Sequence, residues 1–389
     1  MTNLPLLPVY LDNAATSFPK PASVYEAVSQ TMQNVGGSPG RGGYGMAIGA
    51  SRILLETREL LSGFFNLPDS SHLLFTHNTT MSLNLALRGL LKPGDHVVTS
   101  SMEHNSLLRP LFMLEKEGVS VTIVDTGVEG LIEPDDIRKA IRSNTRIVAL
   151  AHVSNVTGGI QPIAEISAIA RMSGILMLLD AAQSAGTEPI DMKALGVDLL
   201  AAPGHKGLLG PQGTGLLAVM PGVSLRPIIA GGTGSSSDQD EQPAGFPEGF
   251  EAGTHNLHGI AGMRAGVEFL LETGVANINA REKKYIKYLK DRLPEIPGCV
   301  MHGPSNPDRV LGIISITVDG WDPSALSFML DTEFGVAVRA GLHCAPRAHR
   351  TIGTYPGGTL RISPGWFNTV NELDILLDSL NKIVRKGAA

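Results

Sequence analysis

Cysteine is nearly absent: Cys299 and Cys344 are the only two among 389 residues. Two thiols cannot build the disulfide framework of a small secreted domain, so a reducing compartment is expected. No run of 18 apolar residues occurs, which removes the sequence signal for a membrane-spanning helix. No basic run stands out and the formal net charge is −6, so neither nucleic acid nor a membrane is expected as a partner. Zinc-type spacing of histidine and cysteine is missing, and no metal is expected. The opening stretch MTNLPLLPVYLDNAATS has no basic segment leading into a long apolar one, and prolines and Asp12 interrupt it. No signal peptide is expected there, which favours a cytoplasmic location. Internal repeats and low-complexity tracts are also missing.

What is there is an α/β pattern. Hydrophobic residues make up 43% of the chain, enough for a sizeable core. Short apolar runs alternate with longer helical patterns: LLFT, HVVTS, VSVTIVD, RIVALAHVS, ILMLLDAA, VDLLAA and GLLAVM. Runs of this kind between helices predict strands buried on both faces, as in a mainly parallel sheet. The segment GGTGSSSDQDEQPAGFPEG at 231–249 reads as a surface loop, with a lid or an arm towards a neighbouring subunit as the alternative. A long helical pattern follows from His258 to about Leu293. We expect a large domain over 16–265 and a smaller α+β domain made of 1–15 and 266–389. The smaller one would hold strands in VLGIISITV and VAVRAG and a final helix near 370–385.

In an open parallel sheet, ligands gather at the carboxyl ends of the strands. Three such ends carry suggestive chemistry. Asp180 ends ILMLLD, where a carboxylate caps the next segment or faces a buried cationic ring nitrogen. Lys206 lies in PGHKG just past VDLLAA; it is a surface lysine, or an amine of lowered pKa that attacks a carbonyl. His205 beside it satisfies a turn or donates to a phosphate. Asn78, Thr79 and Thr80 sit between a strand and the helical MSLNLALRGLL, as an ordinary N-cap or as an anion cradle. Neither familiar glycine-rich phosphate fingerprint is present there. GSPGRGGYG at 37–45 lacks a preceding strand and a following Gly-Lys-Ser/Thr, so it is not read as a P-loop. Taken together, these groups are what pyridoxal phosphate requires: a lysine for its aldehyde, an aspartate that keeps the ring nitrogen protonated, and a cradle for its phosphate.

From YLDNAATS at 10–17 to RISPGWFNT at 361–369 the chain resembles the class V, fold-type I pyridoxal-phosphate enzymes. Within them it is similar to the SufS-like cysteine desulfurases. MEHNS, HVSNVTG, LDAAQSAG, GHKGLLGPQGTG, FEAGTHN and VAVRAGLHCAP carry the resemblance, in that order. It implies that Lys206 binds the cofactor aldehyde and acts as base, that Asp180 faces the ring nitrogen, and that Gln183 lies near the phenolic oxygen. It implies that His104 stacks on the ring and moves protons, and that Asn155 contacts the cofactor oxygen or the substrate carboxylate. Asn78, Thr79, Thr80 and His205 would form the phosphate site, with Thr254 reaching in from the second subunit of a homodimer. Arg361 would clamp the substrate carboxylate, with Arg339 assisting near the thiol. L-cysteine or selenocysteine is the expected substrate, and a sulfur-acceptor protein a possible partner.

The chain departs from the family pattern at three places. Pro203 stands where a serine or threonine is common, which removes one phosphate hydroxyl. Leu342–His343 replaces a histidine doublet before the cysteine, and Gly40 replaces a histidine before Arg41. On this resemblance Cys344 is the nucleophile that takes sulfur as a persulfide, riding a mobile loop and favoured as thiolate by Arg339 or a protonated His343. The alternatives are a selenocysteine lyase, or a class V aminotransferase or epimerase with an incidental thiol. Cys299 is expected to be structural, and His152 and His255 are as well explained by structure as by chemistry.

Overall fold

The computed structural model describes residues 9–40, 42–234 and 238–387. Arg41, and residues 1–8 of the expected small domain, lie outside the described residues. The described strands are β1 (Val9–Tyr10), β2 (Leu73–Thr76), β3 (His96–Ser100), β4 (Ser120–Val124), β5 (Thr145–Ala151), β6 (Leu176–Asp180), β7 (Leu199–Pro203), β8 (Gly215–Val219), β9 (Cys299–His302), β10 (Ile314–Val318), β11 (Val336–Ala337), β12 (Arg339–Gly341) and β13 (Thr359–Ile362).

The seven apolar runs of the sequence are the seven strands of one sheet, in the order β2-β8-β7-β6-β5-β3-β4. From β7 to β4 the neighbours are parallel; β8 runs antiparallel to both β7 and β2. Alternation explains why these runs are apolar throughout. Val98, Val148, Leu150, Met177 and Leu179 pack on one face with helices Gly45–Phe65, Ile163–Met172 and Leu257–Thr273. Val97, Ile147, Ala149 and Leu178 pack on the other with helices Thr79–Leu90 and Asn105–Lys116. A strand covered on both sides has no polar face to alternate with. After β2 at one edge, the chain crosses to β3, steps out to β4 at the other edge, then returns to β5 on the far side of β3. The crevice between the carboxyl ends of β3 and β5 is therefore a topological switch point, where open α/β sheets bind ligands.

A second, antiparallel sheet has the order β12-β13-β10-β9. Its apolar core takes in Tyr285, Ile286, Leu289, Ile314, Ile316, Leu360, Leu376 and Leu380, and also Leu11 from the N-terminal stretch. β1 pairs in parallel with β11, Val9 opposite Val336, which ties that stretch to the small unit. The final helix spans Val370–Gly387.

One predicted element is corrected. The pattern from His258 to Leu293 is two helices, Leu257–Thr273 and Val275–Arg292, broken at Gly274 with φ +82°. That conformation costs a side chain strain and costs glycine little. Ala265 sits inside the first of these helices, whose buried residues and Ile278 belong to the large core. Further along the second helix, Tyr285, Ile286 and Leu289 belong to the core of the small sheet.

Candidate active site

Loops leaving β2, β3, β5, β6 and β7 meet around a cavity of about 220 Å³. Its lining includes Asn78, Thr79, Thr80, His104, Asn155, Asp180, Gln183, His205 and Lys206, with Pro203 at its edge. Each is at or just past a strand end, so the parallel sheet itself gathers them.

The anion cradle is the start of helix Thr79–Leu90. Asn78 caps it, its Oδ1 accepting from Met81 N at 2.9 Å. The cap reading thus holds for Asn78, while the hydroxyls beside it remain available. Thr79 Oγ1 is buried without a hydrogen-bond partner, and so is His205 Nδ1. Burial, with Lys206 and Lys20 next, lowers the His205 pKa to about 4, so its ring is neutral. An orphaned hydroxyl at a helix N-terminus and an orphaned ring nitrogen lining the same cavity fit a phosphate. Pro203 contributes no hydroxyl. Lys20 lies close by, its Nζ donating to Ser17 Oγ at 2.9 Å and to the His205 carbonyl at 3.4 Å.

Asp180 is buried at the end of β6, one carboxylate oxygen accepting from Ala182 N at 2.9 Å. Burial raises its pKa to about 6, against that hydrogen bond and the charge of Lys206. A buried carboxylate with one backbone donor is under-satisfied, and a cationic ring N–H would complete it. Lys206 is pulled the other way: burial, then the charge of Arg361, lowers its pKa to about 8, against Asp180. A sizeable fraction of neutral amine is therefore present near pH 8. Gln183 Nε2 donates to the Ala14 carbonyl at 3.1 Å, which orients its amide.

His104 caps helix Asn105–Lys116. Its Nδ1 accepts from Ser106 N at 3.0 Å, which leaves the ring proton on Nε2. Burial, then Lys206 and Arg339, lowers its pKa to about 4. The ring beside the cavity is thus neutral with Nε2–H available.

The small sheet supplies the rest. Arg361 on β13 stands opposite Arg339 on β12, and neither lines the cavity directly. Arg361 is 1% exposed; its Nη2 pairs with Asp12 at 2.8 Å and its Nη1 donates to the Asn155 carbonyl at 3.0 Å, while Nε has no partner. Asn155 Nδ2 donates to the His343 carbonyl at 2.7 Å, so that end of its amide is committed to the thiol turn. Cys344 is exposed, and its carbonyl accepts from Asn105 N at 2.8 Å. The thiol sits on a turn between Gly341 and Pro346 that is bonded to Asn155 and Asn105. One expectation is corrected here: His343 is neutral, because burial, then Arg361, His349 and Arg339, lower its pKa to about 2. Nearby positive charge comes from the arginines alone.

Thr254 lies elsewhere, in a second cavity with Phe75, His77, Gly213 and His255. It does not meet Lys206 within one chain. His255 bonds Glu251 at 2.8 Å, a structural partner. Three contributors escaped the sequence reading. Asp12 was visible only as part of YLDNAATS, with nothing to pair it with Arg361. Ser106 was visible only as the end of MEHNS. Glu103, 1% exposed, joins β3 to β5 by accepting from Ser100 Oγ at 2.5 Å and Ala151 N at 2.8 Å. Burial raises its pKa to about 8 despite both bonds.

A model of the class-V aminotransferase family matches residues 9–376. The chain belongs to that family. Its curated relatives place it among the cysteine desulfurases. A probable cysteine desulfurase of Methanothermobacter thermautotrophicus is 36% identical, over 99% of this chain and 97% of that protein. A cysteine desulfurase of Haloferax volcanii is 32% identical, over 96% of this chain and 88% of the other. The apo cysteine desulfurase of Thermococcus onnurineus NA1 superposes with a TM-score of 0.91 at 32% identity, covering 97% of this chain and 95% of that one. The Escherichia coli desulfurase CsdA, in an S-sulfonic acid form, superposes at 0.87 with 29% identity, over the same shares of the two chains. The mainly parallel sheet of this class-V member is thus the sheet of its solved relatives.

Proposed function

We propose that this chain is a pyridoxal-phosphate-dependent cysteine desulfurase that converts L-cysteine to L-alanine and takes the sulfur onto Cys344. One observation carries the reading: Lys206, Asp180, His104 and the Thr79–Thr80–His205 cradle line a single cavity, and the thiol turn is bonded to Asn155 and Asn105 at its rim.

Pyridoxal phosphate, when bound, supplies the electron sink that makes the substrate Cα–H acidic and its sulfur a leaving group. Thr79 Oγ1, Thr80, His205 and the amides after Asn78 would hold its phosphate. Asp180 would pair with its ring nitrogen, and Gln183 would serve its phenolic oxygen. Arg361 Nε, the one nitrogen of that guanidinium without a partner, would donate to the substrate carboxylate, with Asn155 and Arg339 nearby. Lys206, its pKa near 8, takes the proton from Cα. His104 Nε2–H holds a proton beside the reacting carbons. The substrate Cβ–S bond breaks as a new S–S bond forms to the Cys344 thiolate, and the carbon fragment is protonated at Cβ and again at Cα before it leaves as alanine. Enzyme thiol plus cysteine thus become enzyme persulfide plus alanine.

We further propose a homodimer in which Thr254 completes the phosphate site of the other subunit. In support, Thr254 is exposed and lines a different cavity from its own Lys206, and Tyr44, Met46 and Ile48 expose large apolar surface near the start of helix Gly45–Phe65. Among the described residues no helix is long and apolar enough to cross a membrane. A cytoplasmic location and a sulfur-acceptor protein remain part of the proposal.

The test supplies L-cysteine and a reductant and measures alanine and sulfide for wild type, Cys344→Ala and Lys206→Ala. Wild type should yield both products, the first variant far less, and the second none. A keto acid instead of alanine would indicate an aminotransferase, and turnover restricted to selenocysteine would indicate a lyase. Equal yields from wild type and Cys344→Ala would remove the thiol from the reaction.

A further inference from the structure

The turn before the thiol holds a histidine whose protonation is settled by geometry. The carbonyl of Val156 can only accept, so Ser315 Oγ, 2.6 Å away, must donate its single proton to it. Ser315 then has no proton left for Thr359, so Thr359 Oγ1 donates to Ser315 Oγ at 3.0 Å. Thr359 in turn has none left for His343, so His343 Nε2, at 3.2 Å, must be the donor. His343, Ser315, Thr359 and Val156 are all buried, with exposures of 4, 0, 0 and 0%, so water does not compete for these directions. His343 Nδ1 is left bare, buried and without a partner.

The sheet register builds this ladder. Thr359 on β13 stands opposite Gly341 on β12, and Arg361 stands opposite both Arg339 and Ser315. Directly opposed residues, and residues two apart on one strand, share a face. The face carrying both arginines therefore also carries the two hydroxyls. Val156 follows Asn155, so the ladder crosses from the small unit to the large one at the same place as Arg361.

The turn needs such an anchor. His343 and Cys344 are consecutive non-glycine residues in the left-handed region, φ +47° and +57°. Side chains there are strained unless surrounding contacts hold them. What holds them is the His343 ring on Thr359, Asn155 Nδ2 on the His343 carbonyl, Asn105 N on the Cys344 carbonyl, and Ala345 N on the Leu342 carbonyl at 2.8 Å.

We propose that His343 is the positioning residue for Cys344, acting as a neutral ring with its proton fixed on Nε2 by Thr359 and Ser315. This rests on the reading that Cys344 receives sulfur. The ring faces Arg361 and Arg339 on the sheet and His349 on helix Pro346–Thr351, so a proton on Nδ1 would add a cation to a cluster holding two. The turn therefore keeps one geometry and one charge across the working pH range.

The test uses the full chain loaded with pyridoxal phosphate, in a Cys299→Ser background so that Cys344 is the sole thiol. Long-range ¹H–¹⁵N spectra report the His343 tautomer, and iodoacetamide reports thiol access. Wild type should show Nε2–H and bare Nδ1, unchanged from about pH 6 to 8.5. Ser315→Ala frees the Thr359 proton and should admit the Nδ1–H tautomer. Thr359→Val and His343→Ala should lower the Cys344 alkylation rate and kcat at least about fivefold, with KM for L-cysteine within about twofold, because Arg361 is untouched. His343→Gln keeps a donor at the Nε2 position and should stay within about twofold of wild type on alkylation. A wild-type Nδ1–H pattern, a His343 titration in that range, or equal loss in the Gln and Ala variants overturns the proposal. So does wild-type alkylation in Thr359→Val. The tautomer is read on wild type, so a misfolded variant does not spare the idea. If tautomer and alkylation behave as stated while no alanine or sulfide forms, it is the desulfurase reading that fails.

Discussion

At the scale of single residues, the cavity works through groups that burial pushes off their ordinary protonation. Lys206 is the clearest. Only neutral amine attacks an aldehyde, so capture of pyridoxal phosphate by the unloaded chain should quicken with pH and level off near pH 8, where its lowered pKa lies, instead of near 10.5. Stopped-flow absorbance across pH 6.5–10 checks this, and a rate still climbing above pH 9.5 contradicts it. Arg361 allows a second prediction. Its guanidinium is shared between Asp12 and the Asn155 carbonyl while Nε–H stays free, a division of five donors that lysine cannot reproduce. Arg361→Lys should raise KM for L-cysteine by about tenfold or more, with a smaller change in kcat; unchanged steady-state KM would remove Arg361 from substrate binding. The residue types of this site were legible in the sequence. Asp180, Lys206 and Thr79 sit next to strand-to-loop transitions that composition marks. Asp12 was not, because its partner is 349 positions away and no local pattern relates the two.

At the scale of elements, a buried ion pair locks the helix Gly45–Phe65 to the edge of the large sheet. Arg58 binds Glu251 through both Nη atoms at 2.8 Å and also donates to the Leu73 carbonyl. Glu251 further accepts from Phe75 N at 2.6 Å and bonds His255. Removing one partner of a buried pair strands the other charge, so Arg58→Ala should cost about 3–5 kcal/mol in denaturant unfolding. A loss under 1 kcal/mol would mean that the carboxylate is rescued by solvent. Burial alone would raise the Glu251 pKa, but the His255 and Arg58 interactions outweigh it and the net shift is downward. Its contribution to stability is therefore full above the ordinary carboxyl pKa of 4.5 and is lost as pH falls through the lower folded value. Acid unfolding should be less steep in Glu251→Gln. None of these partners is signalled by periodicity. The same holds for the break at Gly274: an apolar repeat shows that a helix is wanted, and it continues through the glycine, but the left-handed dihedral is chosen by how the two helices must pack.

At the scale of the whole molecule, the junction between the two sheets holds an unusual carboxyl. Glu282 is 6% exposed and lines a cavity with Leu270, Ile278, Leu311 and Trp366, bordered by Lys206. Burial, then the charge of Glu188, raises its pKa to about 8. An acid with a raised folded value contributes most below its unfolded pKa of 4.5, and that contribution is lost as pH climbs through about 8. Glu282→Gln should therefore flatten the decline in stability over that window, gaining on the order of 2 kcal/mol over wild type at pH 8.5 and little at pH 5. Urea midpoints at the two pH values decide it; equal differences at both would show that Glu282 ionises normally.

The sequence by itself determined the chemistry available and the surfaces that carry it. Seven apolar runs require a doubly covered sheet, and strand ends place a carboxylate, an amine and hydroxyls where such sheets bind ligands. It determined that a scarce thiol lies in a turn next to an arginine-bearing strand. Only the tertiary structure decided which of these groups already have partners. Arg361 is half spent on Asp12, Asn155 holds the thiol turn, and Thr254 lines a different cavity from its own Lys206. It also decided that His343 is neutral. The reason is common to all of these. A residue's identity fixes what it can donate or accept, but register between distant strands and the loss of water around them fix what it does.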